Sequence, residues 1–137
     1  MFLVQFPSMK TILVDAGGTL ILKGKGIYEE MLALLEQYPN PKIIVSNAND
    51  EEIIKNGLTN LPYPLFTLKH NPDKSDPKYF IKLLDEYCLV VQDVVYFDHV
   101  FEAVASAQSL GITAQYYDQE LKDLDVLKTF LDDNCKE

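Results

Sequence analysis

The chain has 137 residues, 47% hydrophobic and 24% charged, ordinary usage for one folded domain of the common size of about 100–200 residues. Its net charge of −9 excludes a broad basic face for nucleic acid, where Lys and Arg neutralising phosphates dominate affinity, and no apolar run approaches the roughly 18–20 residues of a membrane span. The two cysteines, Cys88 and Cys135, show no metal-ligand spacing and fit a reducing, cytoplasmic setting rather than a disulfide framework.

Residues 1–9 (MFLVQFPSM) have no basic leading segment and no small-residue cleavage site, and read as a loose extension with Met9 a candidate start. Thr11–Val14 is a short apolar run ending in Asp15 and broken by Gly17-Gly18, which predicts a buried strand and a turn. Ile27–Tyr38 is predicted helical, with Ile27, Met31, Leu34, Leu35 and Tyr38 on one face. Pro39 and Pro41 stop it. Lys42–Val45 is a second strand, ending in Ser46-Asn47. A short helix follows over Asp50–Lys55, capped by Asn49 or Asp50 and closed by Gly57. Leu65–Leu68 is a third strand. Asp76-Pro77 opens a helix through Tyr87, with the proline in its first turn. Asp93–Phe97 is a fourth strand, ending in Asp98; Phe101–Leu110 is a helix closed by Gly111; Ile112–Tyr117 is a fifth strand; and Gln119–Leu131 is the last helix.

Strands alternating with helices predict an α/β, three-layer, Rossmann-like domain over 1–137. The expected sheet has five parallel strands in the order 3-2-1-4-5, helices on both faces and right-handed crossovers. Ligands of such sheets bind beyond the carboxyl ends of the strands, where this sequence puts Asp15, Ser46 and Asp98. Glycines after Asp15 let backbone approach an anion closely. A carboxylate aimed there is a metal ligand, a nucleophile toward phosphorus, or a solvated turn residue. Ser46, with Asn47, is either a phosphate contact or a helix-start hydrogen bonder. Lys74 could neutralise phosphate, with Lys69 and Lys78 as competitors. Asp98 with Asp15 would supply the oxygen ligands that Mg²⁺ takes; Asp98 also suits a helix cap. His99 alone reads as packed or solvated, and His70, in an Asn/Pro loop, has no evident partner.

Taken in order, these segments resemble the haloacid dehalogenase (HAD) superfamily of phosphatases and phosphotransferases, from Lys10 to about Tyr117. The family's D-x-D-G-T motif corresponds to Asp15-Ala16-Gly17-Gly18-Thr19, its strand-end Ser/Thr to Ser46, its lysine to Lys74 in Lys74-Ser75-Asp76-Pro77, and its acidic pair to Asp98-His99. The region continues in family fashion through Glu102, Ala103 and Leu110-Gly111.

The resemblance implies a HAD-like fold and an aspartate nucleophile, Asp15. It implies phosphate held by Gly18, Ser46, Asn47 and Lys74, and Mg²⁺ held by Asp15, the Gly17 carbonyl and Asp98. Two departures weaken the expected chemistry. Gly17 stands where the family has its general acid, help worth about 10²–10⁴-fold, and His99 replaces the second acid of the fourth motif. The stretches 16–45 and 47–73 are filled by core elements, so no cap domain is expected. Thr19–Gly26 forms only a short flap, on which Lys23 and Lys25 could meet an anion. Shielding the site from water would then fall to a homo-oligomer or a large ligand.

The function expected is weak or absent hydrolysis of a phosphorylated small molecule or macromolecule, without nucleic acid or membrane partners. The alternative is a non-catalytic binding or regulatory module on the same fold. A receiver domain of two-component signalling fits the length and acidity, but receivers place an acidic pair after the first strand and the phosphorylated Asp after the third. Here the first strand ends in Asp-Ala-Gly-Gly, and LFTL is followed by Lys69-His70.

Overall fold

The computed structural model describes residues 9–135. Of the expected extension over 1–9, all but the exposed Met9 lies outside the described residues. Five strands form one sheet: β1 (Thr11–Asp15), β4 (Lys42–Ser46), β5 (Leu65–Thr67), β6 (Val94–Asp98) and β7 (Thr113–Tyr116), with a hairpin of β2 (Ile21–Leu22) and β3 (Gly26–Ile27) between the first two. The sheet order is β5-β4-β1-β6-β7, every neighbour parallel. This is the expected 3-2-1-4-5 arrangement once the hairpin is set aside.

The central strands are buried on both faces, which is why they read as unbroken apolar runs. β1 has Ile12 paired with Lys42 on one side and with Val95 on the other. Alternate residues feed two cores. Ile12 and Val14 pack with Met31, Leu35, Leu127 and Leu131, from α1 (Glu29–Leu35) and α5 (Leu124–Cys135). Leu13 packs with Tyr79, Phe80, Leu83 and Ala107, from α3 (Pro77–Glu86) and α4 (Phe101–Gln108). The result is the three-layer, Rossmann-like arrangement. No helix among the described residues is long and apolar enough to cross a membrane.

Two helices start later than the sequence pattern predicts, each for a local reason. Ile27 belongs to the hairpin, whose Gly26 has φ +80°, so α1 begins only at Glu29 and the expected flap becomes a real β-ribbon. At the last helix, the Asp118 carboxylate accepts from Glu120 N–H (2.9 Å) and Leu121 N–H (3.2 Å), a turn that competes with helix. The Asp123 carboxylate then accepts from Val126 N–H (3.1 Å), and α5 runs from Leu124 to Cys135. The short helix α2 (Asp50–Lys55) is capped by Asn49, in a reciprocal box with Glu52, and α3 by Asp76 with Pro77 in its first turn.

One buried phenol fastens the carboxyl ends of β4 and β5 to α3. The Tyr79 hydroxyl accepts from Ser46 N–H (3.1 Å) and lies within donating distance of the Ser46 (3.0 Å) and Phe66 (2.9 Å) carbonyls. Tyr79→Phe leaves the buried Ser46 N–H without that acceptor and is expected to cost about 1–3 kcal/mol, read as a lower urea midpoint at unchanged m-value.

Candidate functional site

Asp15, Ser46 and Asp98 end three adjacent strands, and the sheet order brings them to one edge. Asp15 is the last residue of β1, and the chain turns immediately: Leu20 N–H reaches the Ala16 carbonyl (3.0 Å), and Gly18 N–H donates to the Ile21 carbonyl (2.9 Å). Gly18 sits at φ +88°, and a Cβ there would lie 2.6 Å from Gln119 Oε1 and 2.8 Å from His99 Cε1. Only glycine fits that position, which serves the site through its missing side chain. Gly17 lies outside the left-handed region, and a Cβ on it meets nothing within 4 Å.

Lys74 arrives from the loop before α3 and is almost fully buried. Its Nζ donates to Asp15 Oδ1 (2.6 Å) and Asp98 Oδ2 (2.7 Å). Of the three candidate lysines it is the one placed between the carboxylates; Lys69 pairs instead with Asp50 (3.0 Å). Asn47 accepts the Lys74 backbone N–H (2.7 Å), so it positions the lysine loop. Ser46 Oγ accepts from Ala48 N–H (3.0 Å) and lines an open cleft.

Around this triad the remaining oxygens also find donors. Asp15 Oδ2 accepts from Thr19 Oγ1 (2.8 Å) and lies 2.6 Å from His99 Nδ1. Asp98 Oδ1 accepts from Val100 N–H (2.8 Å), capping the approach to α4, and Tyr96 OH donates to Asp98 Oδ2. Burial alone would raise the Asp15 carboxyl, but the charges of Lys74 and His99 outweigh it and hold Asp15 below the ordinary carboxylate range. Burial, helped by the Asp15 charge, pushes Asp98 up to about 6 against the pull of Lys74. Burial disfavours the Lys74 cation, yet the two aspartates raise it overall. The hydrogen bond to Asp15 raises His99.

A cleft of about 730 Å³ lies beside the Gly17-Gly18 turn. It is lined by Gly17, Gly18, Ser46 and His99, by Leu22 and Lys23 of the hairpin, by Lys55 at the end of α2 and by Leu58 just beyond it.

His99 belongs to the site, where the fourth-motif resemblance sets it although read alone it is a packed or solvated histidine. Thr19 and Tyr96 were missed, although both were locally readable. Thr19 follows Asp15 across one tight turn, and Tyr96 lies two residues before Asp98, on the same side of a strand. His70 is also partnered: Nε2 lies 2.6 Å from Glu52 and Nδ1 2.9 Å from Asp73. The missing clue was the capping box that turns Glu52 toward the loop. This contact ties the N-terminal turn of α2 to the loop that delivers Lys74.

No protein-family model matches the chain, and no curated protein sequence matches it. Solved structures do. A HAD family enzyme from Bacteroides thetaiotaomicron matches with a TM-score of 0.64 at 14% identity, over 88% of this chain and 98% of that one. The wild-type form of that enzyme in complex with magnesium and inorganic phosphate matches with a TM-score of 0.57 at 15% identity, over 80% and 94%. A HAD-superfamily hydrolase of subfamily IA from Geobacter sulfurreducens matches with a TM-score of 0.56 at 11% identity, over 85% and 100%. The chain has the HAD-like fold. Asp15, Asp98 and His99 bring ligand atoms within 4.8 Å of one another, an acidic cluster at the strand ends of that fold.

Two outcomes follow from this geometry. Lys74→Met leaves two carboxylates buried without their shared cation, and a loss of about 3–5 kcal/mol is expected in urea unfolding. At the loop, the hydrogen bond that His70 donates to Glu52 raises His70 above its ordinary value of about 6.5. A raised folded-state value means the contact stabilises fully below the ordinary value and fades as pH rises through the raised one. NMR titration should place the His70 midpoint above that of Glu52→Gln, and equal midpoints would refute the link.

Proposed function

We propose that this chain recognises a phosphorylated ligand, small or macromolecular, at the carboxyl edge of its sheet, and that turnover is confined to esters with good leaving groups. The observation that carries this reading is the buried Asp15–Lys74–Asp98 triad next to a cleft lined by Gly17, Gly18, Ser46 and by His99, which contacts Asp15. The fold adds support, since a structural relative holds magnesium and inorganic phosphate.

In the proposed step an Asp15 oxygen bonds phosphorus as the bond to the leaving oxygen breaks. The leaving group departs with the electron pair, and water then cleaves the aspartyl-phosphate. Phosphoryl transfer depends mainly on positioning and charge stabilisation, which Lys74 supplies next to Asp15 and Ser46 supplies in the cleft. The chain offers no carboxyl group at position 17 to protonate a poor leaving group. An activated aryloxide needs no proton and can leave; an aliphatic alkoxide cannot. The ligand's own bulk, or a second copy of the chain, provides the shielding that the short hairpin does not.

The second reading, a binding or regulatory module without turnover, rests on Gly17 and on His99 against Asp15. Product formation separates the two. Slow release of phosphate from an activated aryl phosphate is expected, lost in Asp15→Asn, with aliphatic phosphates nearly inert. Gly17→Asp fits sterically and should raise turnover of aliphatic esters by about 10²–10⁴-fold. Phosphate release that survives Asp15→Asn, or a folded Gly17→Asp protein with no gain, would sink the mechanism.

A further inference from the structure

Asp15 and Asp98 face each other across two bridging positions. One joins Asp15 Oδ1 to Asp98 Oδ2 and is filled by Lys74 Nζ, at 2.6 and 2.7 Å. The other joins Asp15 Oδ2 to Asp98 Oδ1 and contains His99 Nδ1, at 2.6 and 3.7 Å. A divalent cation shared by the two carboxylates needs one of these seats. Magnesium takes oxygens at about 2.0–2.1 Å in near-octahedral geometry. A ring nitrogen 2.6 Å from Asp15 Oδ2 stands in that shell, and a ring N–H presents a hydrogen where the ion needs a lone pair. The donor set as arranged does not fit the metal.

We infer that the His99 imidazole occupies the position a shared metal ion would need, hydrogen-bonded to Asp15 Oδ2 and within ion-pair distance of Asp98 Oδ1, so that the native chain does not load Mg²⁺ at this site. The ring is fixed from several sides. It follows Asp98 directly in the chain, its Nδ1 is 3.3 Å from Thr19 Oγ1, and its Cε1 edge lies against bare Gly18, where any side chain would displace it. Thr19, Gly18 and His99 thus form one fitted unit around Asp15 Oδ2. The role needs only an N–H on Nδ1, which a neutral tautomer supplies.

The test uses the full chain and metal alone, so its outcome is independent of whether any phosphoester turns over. Calorimetric titration with Mg²⁺, and paramagnetic resonance with Mn²⁺ as its stand-in, should show no saturable site at millimolar metal in the native protein. His99→Gly empties the seat, and His99→Asp adds a carboxylate to it. Each should gain one saturable site with a dissociation constant at least about 10–100-fold below the highest metal concentration tested, the range over which partners around a metal typically move affinity, and each should lose it when Asp98→Asn is added. The inference is overturned if the native chain shows a saturable site that disappears in Asp98→Asn. It is also overturned if folded His99→Gly and His99→Asp bind no better than native. If neither variant folds, the native His99 ring signals decide: unmoved by Mg²⁺ they support the inference, and a saturable shift refutes it.

Discussion

The ammonium group of Lys74 between Asp15 and Asp98 is the interaction around which the carboxyl edge of the sheet is organised. Three charges out of water are expensive, and their mutual attraction compensates only when geometry is good and the remaining lone pairs are satisfied. Both conditions are met. The lysine reaches two carboxylates at once, and Thr19, His99, Tyr96 and the Val100 N–H take up the rest. The arrangement joins the ends of β1 and β6 to a loop far away in sequence, and it fixes the orientation of the Asp15 carboxylate.

The surrounding structure keeps that lysine in place. Its backbone is held by Asn47, at the end of β4. The ends of β4 and β5 are held by Tyr79, on the helix that the lysine loop introduces. The same loop is tied to α2 through His70 and Glu52. Side chains beside β4 and on α2 thus tie down the loop that carries Lys74, consistent with a site whose chemistry depends on position rather than on many reactive groups.

The sheet was legible because its central strands are buried on both faces and end in Asp15, Ser46 and Asp98, so apolar runs and their polar ends marked both topology and site. Lys74 was legible only through its place in Lys74-Ser75-Asp76-Pro77. The helix starts that shifted, at Ile27 and at Gln119, did so where a hairpin glycine and an Asp118 turn competed with helical periodicity; both are local hydrogen-bonding choices that hydrophobic spacing does not encode. The role of His99 was illegible for another reason. It depends on the approach of two strand ends across the sheet, and a single histidine beside an aspartate does not indicate which neighbouring carboxylate it will meet.

The open cleft gives this edge two electrostatic regimes within one site. Lys74 has a side chain 6% exposed, in surroundings of low effective dielectric where added salt has little influence. Lys23 and Lys55 are exposed residues lining the cleft, where mobile ions screen charges beyond about 8–10 Å at ordinary ionic strength. Their attraction for any anion therefore weakens with salt, while the buried ion triad that orients Asp15 does not. On the proposed reading, ionic strength tunes how often a phosphorylated ligand arrives without altering the charges that orient Asp15.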